Sequence, residues 1–169
     1  PLRDPSRKHP RDGKQETVTY NRSAPREEWS DAAKRVDPAY INDRYWLLFP
    51  FHVLWDTAAD VEDTGMRQRP LGDGEARRIT VSYPDEGGYT PGDVYELFVD
   101  DGWRILEWVY RRGGAEKPTR MSTWEKHAQL GPIIVSLDHH GPDDFRVWFT
   151  GVDLRAGGSD QWRKARVIE

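Results

Sequence analysis

The sequence predicts a mainly β protein of the α+β class, built on an antiparallel sheet curved enough to be covered on both faces. Three observations carry that expectation. Seven β-prone segments follow one another from residue 61 onward, separated by Gly and Pro clusters at the spacing of a meander. Several of them are apolar on both faces, which a single sheet layer washed by water would not tolerate. Aromatic residues are plentiful, with eight Trp, seven Tyr and five Phe, and such residues favour pleated, half-buried surfaces.

Taken in order, residues 1–14 read as a flexible arm. They are highly charged and almost free of apolar side chains, so they bury too little to offset the entropy of ordering. Residues 15–169 form one β-rich domain, long enough for a real core. Gln15 to Tyr20, with Thr17, Val18, Thr19 and Tyr20, is a short β-prone stretch. Ser30 is placed to cap a helix running from Asp31 toward Asp43. Pro38 lies inside that pattern, so a kinked helix or two short ones are expected. Tyr45 to Trp55 is the most apolar run, interrupted by Pro50 and His52. It fits a buried strand or a buried helical turn, and periodicity does not separate the two.

The candidate strands are Val61 to Arg69, Arg77 to Tyr83, Asp93 to Asp100, Arg104 to Arg112, Arg120 to Glu125, Pro132 to Asp138 and Phe145 to Leu154. Asp100-Asp101-Gly102-Trp103 supplies an Asp-Gly pair that tolerates the positive φ of a hairpin turn. His139 to Asp144 contains Gly141 and Pro142 and reads as a looser, exposed hairpin of several residues. Alternation places Leu106, Trp108 and Tyr110 on one face, with Ile105, Glu107 and Val109 on the other. Ile133, Val135 and Leu137 form a further apolar row. Phe145, Val147 and Phe149 form another, with Trp148 and Val152 opposite.

Composition narrows function chiefly by exclusion. Net charge is −4 with acids and bases interspersed, so the basic stripe expected of a general nucleic-acid binder is missing. The absence of Cys removes thiol catalysis, disulfides and Cys-based zinc sites together. No apolar run approaches the ~20 residues of a membrane-spanning helix. The sequence begins at Pro1 without Met and without a signal peptide; the expectation is a processed or trimmed chain that has lost its address.

Asp138-His139-His140 with Asp143 and Asp144 is the only dense group of metal-capable side chains. Adjacent residues of a strand point to opposite faces, so His139 and His140 are not expected to converge on one ion. No Ser sits in a nucleophile elbow. Gly72-Asp73-Gly74-Glu75 lacks the remaining ligands of a calcium loop. The Gly87-Gly88 and Gly113-Gly114 pairs lack a phosphate-loop continuation. The many carboxylates nominate no catalytic pair and read as exposed charge. The expectation is a protein with no catalytic residues, no metal and no cofactor.

Tyr40-Ile41-Asn42-Asp43-Arg44-Tyr45-Trp46-Leu47-Leu48-Phe49-Pro50-Phe51 and Tyr89-Thr90-Pro91-Gly92-Asp93-Val94-Tyr95-Glu96-Leu97-Phe98-Val99-Asp100, followed by Ile105 to Tyr110, resemble uncharacterised bacterial envelope proteins akin to the outer-membrane lipoprotein carriers and receptors of the LolA and LolB type. The resemblance spans roughly residues 40–154, in an order of short helix followed by hairpin meander. It implies a strongly curved antiparallel sheet, or incomplete β-barrel, with one or two short helices covering the open side. It also implies a non-enzymatic lipid- or acyl-chain-binding role in the periplasm or cell envelope, with a lipid or acylated protein as partner. By analogy the lining draws on Trp46, Leu47, Phe51, Leu97, Trp108, Tyr110 and Trp148. The N-terminal residues supply fewer strands than such relatives have, and no residue matches the Arg that fixes the carriers' lid. Two other readings stand beside this one. The first is a protein-interaction module using a sheet edge or aromatic patch. The second is a hydrolase of unknown substrate using carboxylates or His139 and His140.

Overall fold

A computed structural model describes residues 18–55, 57–86, 90–155, 157 and 160–168. The arm expected over 1–14, and residues 15–17 of the first β-prone stretch, lie outside the described residues.

Helix formation begins where the sequence places it. The Ser30 Oγ accepts the backbone N–H of Ala33 at 3.2 Å, satisfying one of the donors that a helix start leaves free. From there one helix, α1 (Asp31–Trp55), runs 25 residues. The chain does not divide into two helices at Pro38, and the run 45–55 is helix rather than strand. Both Pro38 and Pro50 lie inside α1; neither can donate to the carbonyl four residues earlier. The helix persists because one face is buried: Trp46 and Phe49 belong to the main core, with Tyr45 and Val53 packed beside them. Before α1, the Tyr20 hydroxyl donates to the buried Asp37 carboxylate at 2.6 Å, and the Arg22 guanidinium lies 2.9 Å from it.

The rest of the described chain is antiparallel. A five-stranded sheet has the order β1 (Asp60–Gln68), β2 (Glu75–Ser82), β3 (Val94–Val99), β4 (Ile105–Arg111), β5 (Arg120–Thr123). In a second sheet β6 (Glu125–Leu130) pairs with β7 (Ile133–His140), which pairs with β8 (Arg146–Trp148). A ribbon joins β9 (Asp153–Arg155) to β10 (Trp162–Lys164), and β11 (Arg166–Val167) adds to the free side of β6. Trp124 alone separates β5 from β6, and Lys126 just beyond it is left-handed at φ 49°. The chain therefore turns from one sheet into the other without a loop. The His140 backbone N–H donates to Thr123 Oγ1 at 3.0 Å across that corner. The result is an open, curved antiparallel surface with α1 against it, in accord with the predicted class.

Register corrects one sequence expectation. Tyr95 faces Tyr110, Leu97 faces Trp108 and Phe98 faces Glu107, but a bulge then sets Val99 opposite Ile105. Leu106 is the extra residue, and such an insertion reverses side-chain parity. Ile105, not Leu106, joins Trp108 in the main core. Leu106 packs on the opposite face beside Ala76, Phe98 and Val109.

Both predicted hairpins form with different turn geometry. At the first, the Trp103 N–H donates to Asp100 O and the Asp100 N–H to Arg104 O, at 2.9 and 3.0 Å. The left-handed residue is Trp103 at φ 61°, not Gly102, as in a three-residue loop where a type I turn leads into a bulge. At the second, Phe145 donates to Pro142 O, with Asp143 and Asp144 both left-handed at φ 60° and 57°. That is the backbone of a tight two-residue turn, not a loose loop. The strand expected over Phe145 to Leu154 divides into β8 and β9, with a left-handed Gly151 at φ 63° between them.

Candidate functional site: an aromatic layer beneath a helix

Strand alternation builds one wall of the site. Ile79 and Val81 on β2, Tyr95 and Leu97 on β3, and Trp108 and Tyr110 on β4 lie in register on one sheet face. Tyr95 stacks on Trp108 and Tyr110 with ring centroids 5.4 and 5.1 Å apart. Helix α1 supplies the other wall, since Tyr45, Trp46, Phe49 and Val53 recur at helical spacing. Phe49 meets Tyr95 at 4.6 Å, and Trp46 meets Trp108 edge-on at 5.0 Å. Trp46 also reaches the second sheet, touching His139 at 5.3 Å and Phe145 at 5.6 Å.

At the β3–β4 end of the layer the polar atoms of Trp108 and Tyr110 have partners. The Trp108 indole N–H donates to Ser122 Oγ. The Tyr110 hydroxyl donates to Asp93 Oδ2 at 2.9 Å, and Asp93 Oδ1 accepts the Gly113 N–H at 2.8 Å. Burial pushes the Tyr95 phenol well above its ordinary range, so it remains neutral.

The corner end differs. His139 is fully buried, with its ring 4.6 Å from Trp124 in a T-shaped contact and 6.1 Å from Phe149. Its Nδ1 lies 3.3 Å from Thr123 O. A carbonyl only accepts, so Nδ1 carries the proton and Nε2 is a bare acceptor. Neither His139 Nε2 nor the buried Trp124 Nε1–H has a hydrogen-bond partner. Each such buried orphan costs about 1–3 kcal/mol. Burial drives the His139 imidazole down to about 4, so it is neutral at physiological pH. On its far side Phe149 lines a cleft of about 240 Å³ with Leu137, Val152, Asp153 and Lys164.

The region expected to be an exposed hairpin is thus partly core. Asp138 and His139 are buried, because β7 is paired on both sides. As strand geometry requires, the two histidines part company. His140 lies on the outer face, with Nε2 3.2 Å from the Asp138 carboxylate, which also takes two hydrogen bonds from Arg146 (2.8 and 2.7 Å) and an ion pair from Lys126. Arg146 above all, together with Lys126, holds the Asp138 carboxyl well below its usual range. Among the described residues no three His, Asp or Glu side chains are grouped to hold a metal ion.

Carboxylates elsewhere also depart from the expectation of exposed charge, since Asp37, Asp93, Glu96 and Glu107 are buried too. Glu107 accepts from Arg69 Nε at 2.9 Å and from the Leu71 backbone N–H at 2.8 Å. Gly72 is needed there, as a Cβ would fall 2.8 Å from Glu107 Oε1. The glycine-acid stretch 72–75 therefore follows a latch over a buried acid. Arg78 and Arg111 flank Glu96 at 3.0 and 3.1 Å.

Of the seven expected lining residues, the fold brings together Trp46, Leu97, Trp108 and Tyr110. Leu47 and Phe51 fall on the other side of α1. At about 100° per residue they align with Val36, Tyr40 and Leu54 in an outward stripe roughly 60° wide, in which Tyr40 and Leu54 are 51% and 81% exposed. Trp148 is opposite Asp138 on the outer face of β7–β8, beneath the Arg146 guanidinium at 5.1 Å. Phe49, Tyr95, Trp124 and His139 belong to the layer but were not singled out as lining. The helical spacing of Phe49 from Tyr45 and Val53, and the β3 parity of Tyr95 with Leu97, were the available signals. Comparison with protein-family models, curated proteins and solved structures returns no match for this chain.

Proposed function

We propose that this chain is a non-enzymatic binding protein that holds an acyl chain against the aromatic layer between α1 and the curved sheet. One observation carries the reading: a single helix covers an open antiparallel sheet, and the side chains that meet between them are almost all aromatic or aliphatic. In the closed state the layer is filled by Trp46 and Phe49, so the ligand enters by shifting α1. Three features favour such a shift. Two interior prolines weaken the helix's own hydrogen bonding. Its outward stripe is apolar as well, so α1 has an apolar face to offer on either side. Two polar atoms at the corner have no partner while the layer is closed.

An envelope location, and a lipid or acylated protein as the partner, are supported by the resemblance to the lipoprotein carriers and receptors. A module that adds a strand at a sheet edge has less in its favour. Edge strand β1 carries Asp60, Glu62, Asp63 and Arg67 and is interrupted by an irregularity between Asp63 and Met66; such charges and bulges protect an edge from pairing. Native mass spectrometry of the purified protein, followed by lipid extraction and titration with saturated fatty acids, tests the acyl reading. Near-stoichiometric acyl ligand, or saturable quenching of tryptophan emission, is the expected result. An empty protein that responds to no chain length would remove it.

A further inference from the structure

We infer that His139 Nε2 and the Trp124 Nε1–H form a recognition point for a single hydroxyl group, the alcohol or protonated carboxyl end of an alkyl chain. The inference rests on the acyl-binding reading above and names the end of the chain that the site selects. His139 has committed Nδ1–H to Thr123 O, so its remaining nitrogen only accepts. The Trp124 indole only donates. Both side chains are buried and both atoms are unpartnered, while the rings touch at 4.6 Å.

A group that completes both must accept and donate within one small volume. A hydroxyl does so through one oxygen, and a carboxylic acid through its carbonyl and its O–H. An ether or ester satisfies the indole and leaves the imidazole bare, while an ammonium does the reverse. Arg146, Lys126 and His140 are gathered around Asp138 on the other side of β7, so those cations are directed away from the head. Of the remaining walls, Phe149 offers the head no polar atom and Trp46 only a further indole N–H donor. Phe149, whose ring centroid is 6.1 Å from that of His139, also lines the cleft formed with Leu137, Val152, Asp153 and Lys164, which puts that cleft one side chain away from the proposed contact.

Dodecanol and its methyl ether differ in that a methyl group replaces the hydroxyl hydrogen, so calorimetric titration with the pair, read together with the His139 variant, tests the proposed contact. The ¹⁵N resonance of His139 Nε2 reports on it directly. Dodecanol is expected to bind about tenfold more tightly than the ether, the scale of one hydrogen bond that would otherwise leave a buried partner unmade, and to shift the Nε2 resonance. His139→Phe is expected to bring dodecanol to the affinity of the ether, whereas Trp124→Phe, which removes the donor that both oxygens accept from, is expected to weaken both ligands and keep the gap between them. If one variant fails to fold, the other and the wild-type resonance still decide. Equal binding of the two ligands to the wild type would overturn the headgroup assignment and leave the acyl reading standing. A resonance unmoved by bound dodecanol would overturn it too, leaving a water molecule as the group between the rings. Binding of neither ligand would remove the acyl reading and this inference together.

Discussion

Single residues here carry strain and charge that composition conceals. Trp103 occupies a left-handed position at φ 61° with 65% of its surface exposed, so its side chain stabilises little while its backbone is strained. Trp103→Gly is expected to raise stability by about 1 kcal/mol, read as a higher urea midpoint with unchanged slope. His139 has a larger effect with a defined pH window. Its folded-state value is about 4 against an ordinary 6.5. Between those values the unfolded chain takes up a proton that the folded chain refuses, so stability falls as pH drops from 6.5 toward 4. The full loss is about 3 kcal/mol. The titratable neighbours are Asp138 and His140 on β7 and His127 on β6. Asp138, whose value is lowered, adds its own loss only below its ordinary 3.8. His139→Phe is expected to make the fall between pH 6.5 and 4 shallower, as denaturation at several pH values would reveal; what remains belongs to His127, whose burial also lowers its value. Arg69→Ala strands the buried Glu107 with the Leu71 N–H and is expected to cost about 3 kcal/mol. Adding Glu107→Leu should recover most of that loss in the same assay. Almost none of this was legible in the sequence: Glu107 and Asp138 read as exposed acids because their burial depends on arginines 38 and 8 residues away.

At the scale of elements, legibility followed locality. The strands from β1 to β5 and β7 lie close to the predicted segments because alternation and flanking Gly or Pro are local signals. Helix α1 was foreseen for about half its length, from Asp31 toward Asp43, because the run from Tyr45 fits strand or helix locally and burial of Trp46 and Phe49 against the sheet decides it. Strand β6 was missed because Glu125, Lys126, His127 and Gln129 give it a polar composition; its pairing with β7 and β11 makes it a strand. Two substitutions separate what holds α1 from what weakens it. Phe49 is almost wholly buried, and Phe49→Ala is expected to cost about 3–5 kcal/mol. Pro50→Ala restores a donor to the helix interior and is expected to raise the denaturation midpoint. On the acyl reading it also slows ligand uptake, by stiffening the segment that must shift.

The whole molecule pairs a long-range sheet with one helix, and these two parts have unequal reasons to stay in place. Each strand of the sheet core shares a hydrogen-bonded ladder with neighbours on both sides, from β2 through β4. Helix α1 has no such ladder to the sheet and is held through its side chains. A surface of that kind opens locally at a lower free energy than the sheet unfolds. Curvature makes this consequential, because Trp46 touches both the β4 face and the corner at His139, so lifting the second half of α1 uncovers the layer and the corner together. Amide hydrogen exchange under native conditions tests the point: amides of residues 45–55 are expected to exchange through a local opening, while those of β3 and β4 exchange only with global unfolding. Dodecanol at saturation should change protection in residues 45–55 and at Trp124 and His139, leaving β1 as it was. If α1 and β3 exchanged with one common free energy, with and without ligand, the helix would be a fixed part of the core, and entry beneath it would be ruled out as the route of binding.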